Sequence, residues 1–377
     1  VKALQLALRR LTLAAAVVLA AACSSTGEPA KPAELTPIMN TIAVREAWRL
    51  PLAAPTADFE FALVGSDVVA AGRDGSVVWI DAATGRVQAR AEAGRGLTAA
   101  VGAAGNLAAV VTQANELVVL SRQGQVAWRQ RLPAQVLAAP LVTNDLVAVL
   151  QADQTITAFD ANSGARLWAN SRTQPPSLLL NRAGGLLQSG DAIYANLAQG
   201  RAAAITQGGT TRWEQTIVSA RSGNEIERLV DLIGKPALVE GDLCARSFQM
   251  GVVCAQASNG RPRWNRKANG HQAIAADAQK VFATEANGNV LAFDRASGEP
   301  GWTHERLKHR GLSAPISLGR SVVFGDAFGF VHWLSRDDGS ALARMPTDGT
   351  AVIGQPMIAG GTLVVRTQGG VFGFRAD

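Results

Sequence analysis

The stretch Ile156–Trp168, ITAFDANSGARLW, runs a short apolar strand into Asp160, turns through Asn162-Ser163-Gly164 and restarts as a strand at Trp168. The same sentence recurs from Val290 to Trp302, VLAFDRASGEPGW, and weaker copies end at Trp128, Trp213 and Trp264. In all five a glycine stands four residues before the tryptophan: Gly124, Gly164, Gly209, Gly260 and Gly298. Two more copies keep the glycine, at Gly85 and Gly339, but carry Ala89 and Ala343 at the tryptophan position. Counted from Trp48, the marker falls at 89, 128, 168, 213, 264, 302 and 343, at intervals of 38 to 51 residues. Self-similarity at such a period means a repeat architecture, and this spacing suits a four-stranded propeller blade.

Periodicity inside the units separates strands from helices of similar length. Val77, Trp79 and Asp81 alternate with Val78 and Ile80, a period of two. Asp74-Gly75, Asn287-Gly288 and Gln368-Gly369 are hairpin signals. Pro140, Pro236, Pro315 and Pro356 each precede an apolar run, where a proline at the first residue of a strand is expected. After Ala343 the chain holds material for three strands, around Met357, 363–366 and 371–374, and then stops. The missing fourth strand is Val44 to Leu50, around Trp48. The expectation is therefore an all-β fold: an eight-bladed β-propeller of four-stranded antiparallel blades, the ring closed by the N-terminal strand completing the C-terminal blade. Closure of that kind hides two sheet edges. The tryptophans are expected to pack between blades, where a flat ring fills the wedge between twisted sheets.

Composition agrees. Of the 377 residues 47% are hydrophobic and 18% charged, with 38 Gly and 15 Pro, which suits short strands and tight turns. The formal charge is +6, but Lys2, Arg9 and Arg10 lie in an N-terminal leader without acids, which leaves +3 for the rest. There is no basic run interleaved with aromatics, and no nucleic-acid partner is expected.

Residues 1–22 combine a basic start with an apolar run from Leu11 to Ala22, too short to span a bilayer and suited to a secretory signal peptide. Ala20-Ala21-Ala22 directly before Cys23 resembles the bacterial lipoprotein cleavage box, in which the cysteine is acylated, although Ala20 replaces the usual Leu. The alternative is an ordinary A-x-A cut with Cys23 incidental. Ser24 after the cysteine implies, by the same resemblance, sorting to the outer membrane. Residues 23–42 contain Pro29, Pro32 and Pro37 with few large apolar side chains, and are expected to be a flexible tether to a propeller over 43–377.

Chemistry is hard to find. His271, His304, His309 and His332 have no metal-ligand spacing, and no nucleophile elbow, P-loop or dinucleotide fingerprint occurs. Asp81, Asp160 and Asp294 sit where an Asx side chain bonds its own turn. Cys244 and Cys254 fall nearly opposite one another on a hairpin, which allows either a disulfide in an oxidising compartment or two buried thiols. No catalytic residue, metal site or cofactor is expected.

The blade sentence apolar-Asp-x-x-Thr/Ser-Gly-x-x-x-Trp resembles the repeats of the pyrroloquinoline quinone dehydrogenases and, equally, those of the non-enzymatic BamB family, lipoproteins of the outer-membrane β-barrel assembly machinery. Against the dehydrogenases stand the absence of adjacent cysteines and of a recognisable calcium-binding Glu, Asn and Asp set, together with the short chain. The segment Ser219–Pro236, SARSGNEIERLVDLIGKP, is similar to the BamB-family loop S-x-x-x-G-x-x-E-I-x-R-L-x-D, with Ile233 where a second acid is usual. Pro176-Ser177-Leu178-Leu179-Leu180 resembles the family's P-S-L-x-L-R, except that Asn181 holds the Arg position and Arg182 follows one place late. In that family the two loops contact the periplasmic POTRA domains of BamA. The resemblance thus implies a partner site of Leu178, Leu180, Arg182, Glu225, Arg228, Leu229 and Asp231, and as partners BamA, other members of the assembly complex, unfolded outer-membrane proteins and the outer membrane itself. Independently of that resemblance, both loops follow the marker strands of consecutive blades and should emerge on one rim. Leu178, Leu179, Leu180, Leu229, Leu232 and Ile233 framed by Arg and acids have the make-up of a protein-binding patch. The bland alternative is that the leucines tuck under their own loops. A dehydrogenase, or a propeller holding a small ligand in its channel, are the rival functions.

Overall fold

The computed structural model describes residues 30–376 apart from 56–58, 95, 137, 173–179, 181–183, 220–228 and 249. Cys23, Leu178, Arg182, Glu225 and Arg228 lie outside the described residues. Residues 1–32 and 33–377 form separate units, and every strand among the described residues belongs to the second.

The regular elements of that unit are all strands, arranged as eight four-stranded antiparallel sheets. In chain order blade 1 covers 62–92, blade 2 102–131, blade 3 141–170, blade 4 185–216, blade 5 232–266, blade 6 275–304 and blade 7 316–346. Blade 8 takes three strands from 352–376, and its outermost strand is Val44–Pro51, which pairs antiparallel with Gly370–Ala376. Each blade runs inside to outside, so the turns between second and third strands, and the connectors between blades, share one face of the ring. The remaining turns share the other.

The marker tryptophans join neighbouring blades. Each leaves the outermost strand of its own blade and lies on the marker glycine of the next: Trp48 on Gly85, Trp128 on Gly164, Trp168 on Gly209, Trp213 on Gly260, Trp264 on Gly298 and Trp302 on Gly339. Each indole Nε1 then donates to a carbonyl in that same turn, from Trp48 to Ala82 through Trp302 to Arg336, at 2.7 to 3.0 Å. These glycines combine a left-handed backbone with direct ring contact, so no side chain fits there. The turn aspartates hold the loops in shape: Asp160 Oδ1 accepts from Ser163 N and Oγ, both at 2.7 Å, and Asp81 and Asp294 do likewise with Thr84 and Ser297.

Two seams lack the tryptophan and are filled differently. Between blades 1 and 2, Trp79, the cross-strand partner of Ala89, fills the shared core; the Asp67–Arg122 pair also crosses this seam, as Asp242–Arg295 and Asp277–Arg336 cross seams that keep the tryptophan. Between blades 7 and 8, Trp333 meets Phe374 edge-on at 5.7 Å.

Pro140 and Pro315 directly precede strands Leu141–Val142 and Ile316–Leu318. Pro236 and Pro356, expected at strand starts, instead sit inside Leu232–Val239 and Val352–Ala359, at register breaks after Gly234 and Gly354. Both glycines have positive φ (64° and 69°), and each strand bulges there. A missing N–H is tolerated there because a bulge leaves that position out of the ladder.

Residues 33–42, whose composition suggests a free tether, are hydrogen-bonded along the connector from blade 6 to blade 7 and the outermost strand of blade 7. Ala33 N donates to Lys308 O (2.8 Å), Arg310 Nη1 to Ala33 O (3.0 Å), Arg344 Nη1 to Thr36 O (3.0 Å) and Thr41 N to Leu342 O (2.8 Å). Leu35 packs against the core shared by blades 6 and 7, and Ile42 against the core shared by blades 7 and 8. Few large apolar residues suffice when backbone groups supply the rest. This strap roofs a small space lined by His304, His332 and Arg344.

Candidate functional site

The two connectors singled out by sequence leave blade 3 after Asn170 and blade 4 after Thr216. Their described ends come together on the connector face, and Asp231 joins them. Its Oδ2 accepts from Leu180 N at 2.9 Å and its Oδ1 from Gln199 N, in the blade 4 turn, at 2.8 Å. Its carbonyl accepts from Phe248 N at 2.9 Å. One residue therefore ties together the connector into blade 4, a turn of blade 4 and a turn of blade 5. Below it Gly184 N donates to Leu232 O (2.8 Å), and Gly184 and Ile233 form an isolated parallel bridge.

This corrects part of the expected patch. Asp231 is 1% exposed and spends both carboxylate oxygens on backbone amides, so it holds the connectors rather than meeting a partner. Leu232 and Ile233, at 0% and 4%, begin the inner strand of blade 5 and are buried; Leu232 packs with Trp213, Val230 and Leu243. They lie inside because the strand starts earlier than the loop resemblance suggests, and alternate positions of a strand facing neighbouring blades are both covered. Leu180 and Leu229 are half-buried and remain available at the surface.

A second group beneath the same corner has no counterpart among the residues that sequence singles out. Gln154, at φ 66°, occupies a turn position filled elsewhere by Gly75, Asn115, Gly200, Gly251, Gly288 and Gly329. Its side-chain oxygen accepts from Ala198 N of blade 4 at 2.8 Å, and its carbonyl accepts from Arg172. Arg172 lies 3.3 Å from Glu214, which also pairs with Arg201. Burial, then the nearby Arg201, lowers the Arg172 pKa to about 10, which leaves it charged at neutral pH. Alignment of the eight turns would have exposed Gln154 as the residue out of character, since a strained left-handed Gln persists only where its side chain is committed.

Cys244 and Cys254 are paired across one hairpin of blade 5, fully buried and joined as a disulfide. His304 and His332 line the space under the strap but are bonded to different groups: His304 Nδ1 lies 3.0 Å from Gly339 O, and His332 Nε2 lies 3.0 Å from Asp326 Oδ2 in blade 7. Among the described residues no group of three or more His, Cys, Asp or Glu could hold a metal ion.

A ring of eight blades with tryptophan-docked seams and a last blade completed by the N-terminal strand places the protein among the closed eight-bladed β-propellers. The fold alone is shared with the quinohemoprotein alcohol dehydrogenase of Comamonas testosteroni, at TM-score 0.66 and 13% identity over 89% of this chain and 77% of that one. Sequence narrows the class. The family described as outer membrane protein assembly factor BamB matches residues 73–304 and 288–376, and the chain belongs to that family. Its relative of that name in Burkholderia pseudomallei is 38% identical over 367 residues, 96% of each chain, and the one in Bordetella pertussis 33% identical over 92% of this chain and 90% of its own. The crystal structure of BamB from Moraxella catarrhalis superposes at TM-score 0.78 and 26% identity, covering 88% of this chain and all of that one.

Proposed function

We propose that this protein is a non-enzymatic scaffold in outer-membrane protein assembly. It is held at the periplasmic face of the outer membrane by a lipid on Cys23, and docks through its two clasped connectors onto the POTRA domains of BamA, with unfolded outer-membrane proteins as clients of the assembled complex. The observation that carries this reading is the Asp231 clasp. It ties Leu180 of one connector to the described end of the other on the same face, which supports a docking surface shared by the two. In this assignment Leu178, Leu180 and Leu229 supply apolar anchors and Arg182, Glu225 and Arg228 the polar frame, while Asp231 is a positioning residue.

A pull-down with purified BamA periplasmic domains tests it. Leu180→Ala should weaken capture by about tenfold, the scale of a hot-spot truncation, with Tm unchanged. Asp231→Ala should weaken capture and also speed amide exchange at Leu180 and Gln199. Wild type that fails to bind would end the reading; variants that all bind like wild type would end the site assignment.

A further inference from the structure

A channel of about 830 Å³ opens on the connector face, and every blade or its connector contributes to its wall. The lining includes turns and connectors of that face and none of the turns of the opposite one. Two strands push side chains into it by the same device. The sequences Ile233-Gly234-Lys235-Pro236 and Ile353-Gly354-Gln355-Pro356 are one motif, I-G-x-P, used in blades 5 and 8, and each makes the bulge described above.

The two bulge residues are employed differently. Gln355 Nε2 is committed to its own side of the ring, donating to Ile274 O at 3.1 Å and Pro315 O at 2.6 Å. Lys235 Nζ instead reaches Glu60 Oε2 at 2.6 Å, on the connector entering blade 1, four blades away around a ring of eight. That ion pair spans the funnel. With side chains 36% and 29% exposed, it is wet, and such pairs favour the closed state by only about fivefold at most. Arg246, buried behind the wall, is not available in this way: it is spent on the carbonyls of Gln272, Ala268 and Thr284, at 3.1, 2.9 and 2.8 Å. Around the mouth, Gln368, Gln113 and Gln135 are exposed on blade 8, blade 2 and the connector to blade 3, with side chains that have no partner among the described residues. An amide side chain offers both a donor and an acceptor, the pair that an extended peptide backbone requires.

We propose that the funnel is a binding site for the carboxylate end of an extended polypeptide, with Lys235 as its seat and Glu60 as an internal occupant that an incoming carboxylate displaces. The intramolecular pair shows the contact the seat makes. The arc of unpartnered amides supplies backbone contacts that a small carboxylate alone would leave unused. Capture of a terminal carboxylate is a recurrent peptide-recognition mode, and the volume falls within the range of small-molecule and cofactor sites.

The test is fluorescence anisotropy on the full chain with a labelled, otherwise uncharged hexapeptide ending in a free carboxylate, beside its C-terminally amidated twin. The acid should bind about tenfold more tightly than the amide, as for one charge-assisted contact. Glu60→Gln should tighten the acid by about two- to fivefold, through removal of the competitor. Lys235→Met should reduce the acid to the level of the amide, and Gln113→Ala with Gln135→Ala should weaken both. Melting curves on the same variants, all at accessible side chains, confirm that each is folded. Equal binding of acid and amide, no effect of Lys235→Met, or acetate competing as strongly as the peptide would each overturn the proposal. None of these outcomes depends on BamA docking, which is read in the pull-down.

Discussion

At the scale of single residues, stability is concentrated where a ring meets a backbone. A Cβ at Gly298 would stand 2.4 Å from the Trp264 indole, at a φ of +71°. Gly319 has a similar φ, +58°, but nothing within 4 Å. Gly319→Ala should therefore cost about 1–2 kcal/mol, the backbone term alone. Gly298→Ala should cost about 2–5 kcal/mol, because an overpacked ring contact is added. Urea titration of the two variants checks the difference, and equal midpoints would remove the docking role given to the tryptophans. The glycine and tryptophan positions were legible because spacing alone exposes them. Asp231 was legible only as a member of a resembling loop. Its burial was not, since an acid in a polar segment looks the same whether it faces solvent or two backbone amides.

Between elements, several seams are also crossed by an Asp–Arg pair, Asp67 with Arg122, Asp242 with Arg295 and Asp277 with Arg336. Arg122→Ala at the seam of blades 1 and 2 leaves Asp67 7% exposed without its cation. Stranding a buried charge costs about 3 kcal/mol or more, whereas losing an exposed pair such as Arg49 with Glu46 should leave the midpoint almost unchanged. Chemical denaturation of Arg122→Ala and Arg49→Ala side by side measures the contrast.

The roofed space between the strap and blade 7 makes a prediction in pH. Burial lowers the pKa of His332 against the pull of Asp326, with Arg344 and Arg310 lowering it further. Burial likewise lowers His304, outweighing its bond to Gly339 and helped by Arg306, His332 and Arg344. Both groups thus bind protons less readily folded than unfolded, where a histidine titrates near about 6.5. Stability should be full above pH 7 and fall as pH drops through that value, until the native histidines protonate in turn. Tm measured from pH 8 to 5 should show this slope, and His332→Gln should flatten it. A flat wild-type profile would contradict the burial. The strap itself was not legible in composition, because it is held largely by backbone groups, which every sequence possesses.

For the whole molecule, the ring was legible to its blade count and its closure, since a periodic marker and three leftover strands leave one way to complete eight sheets. The funnel was less so. The repeated I-G-x-P was in plain view, but only the bulge geometry turns Lys235 inward to meet Glu60. The disulfide bears on the whole fold through the unfolded chain. Cys244 and Cys254 are 10 residues apart, and opening a loop of that size removes about 2–3 kcal/mol in the chain-entropy account. Reduction under mild denaturant should lower the unfolding midpoint accordingly without altering peptide capture in the funnel. A collapse of the native fold on reduction would mean that blade 5 cannot stand on its own packing.

The strap has a mechanical consequence. Tension applied to the chain ahead of Ala33 is met first by the bonds to Lys308, Arg310, Arg344 and Leu342, spread over a connector and the outer strand of blade 7. Only when these have been shed does force reach Val44–Pro51, the strand whose loss would unlock the ring. The segment thus works as strain relief on a cable, protecting the one joint that has no covalent backup.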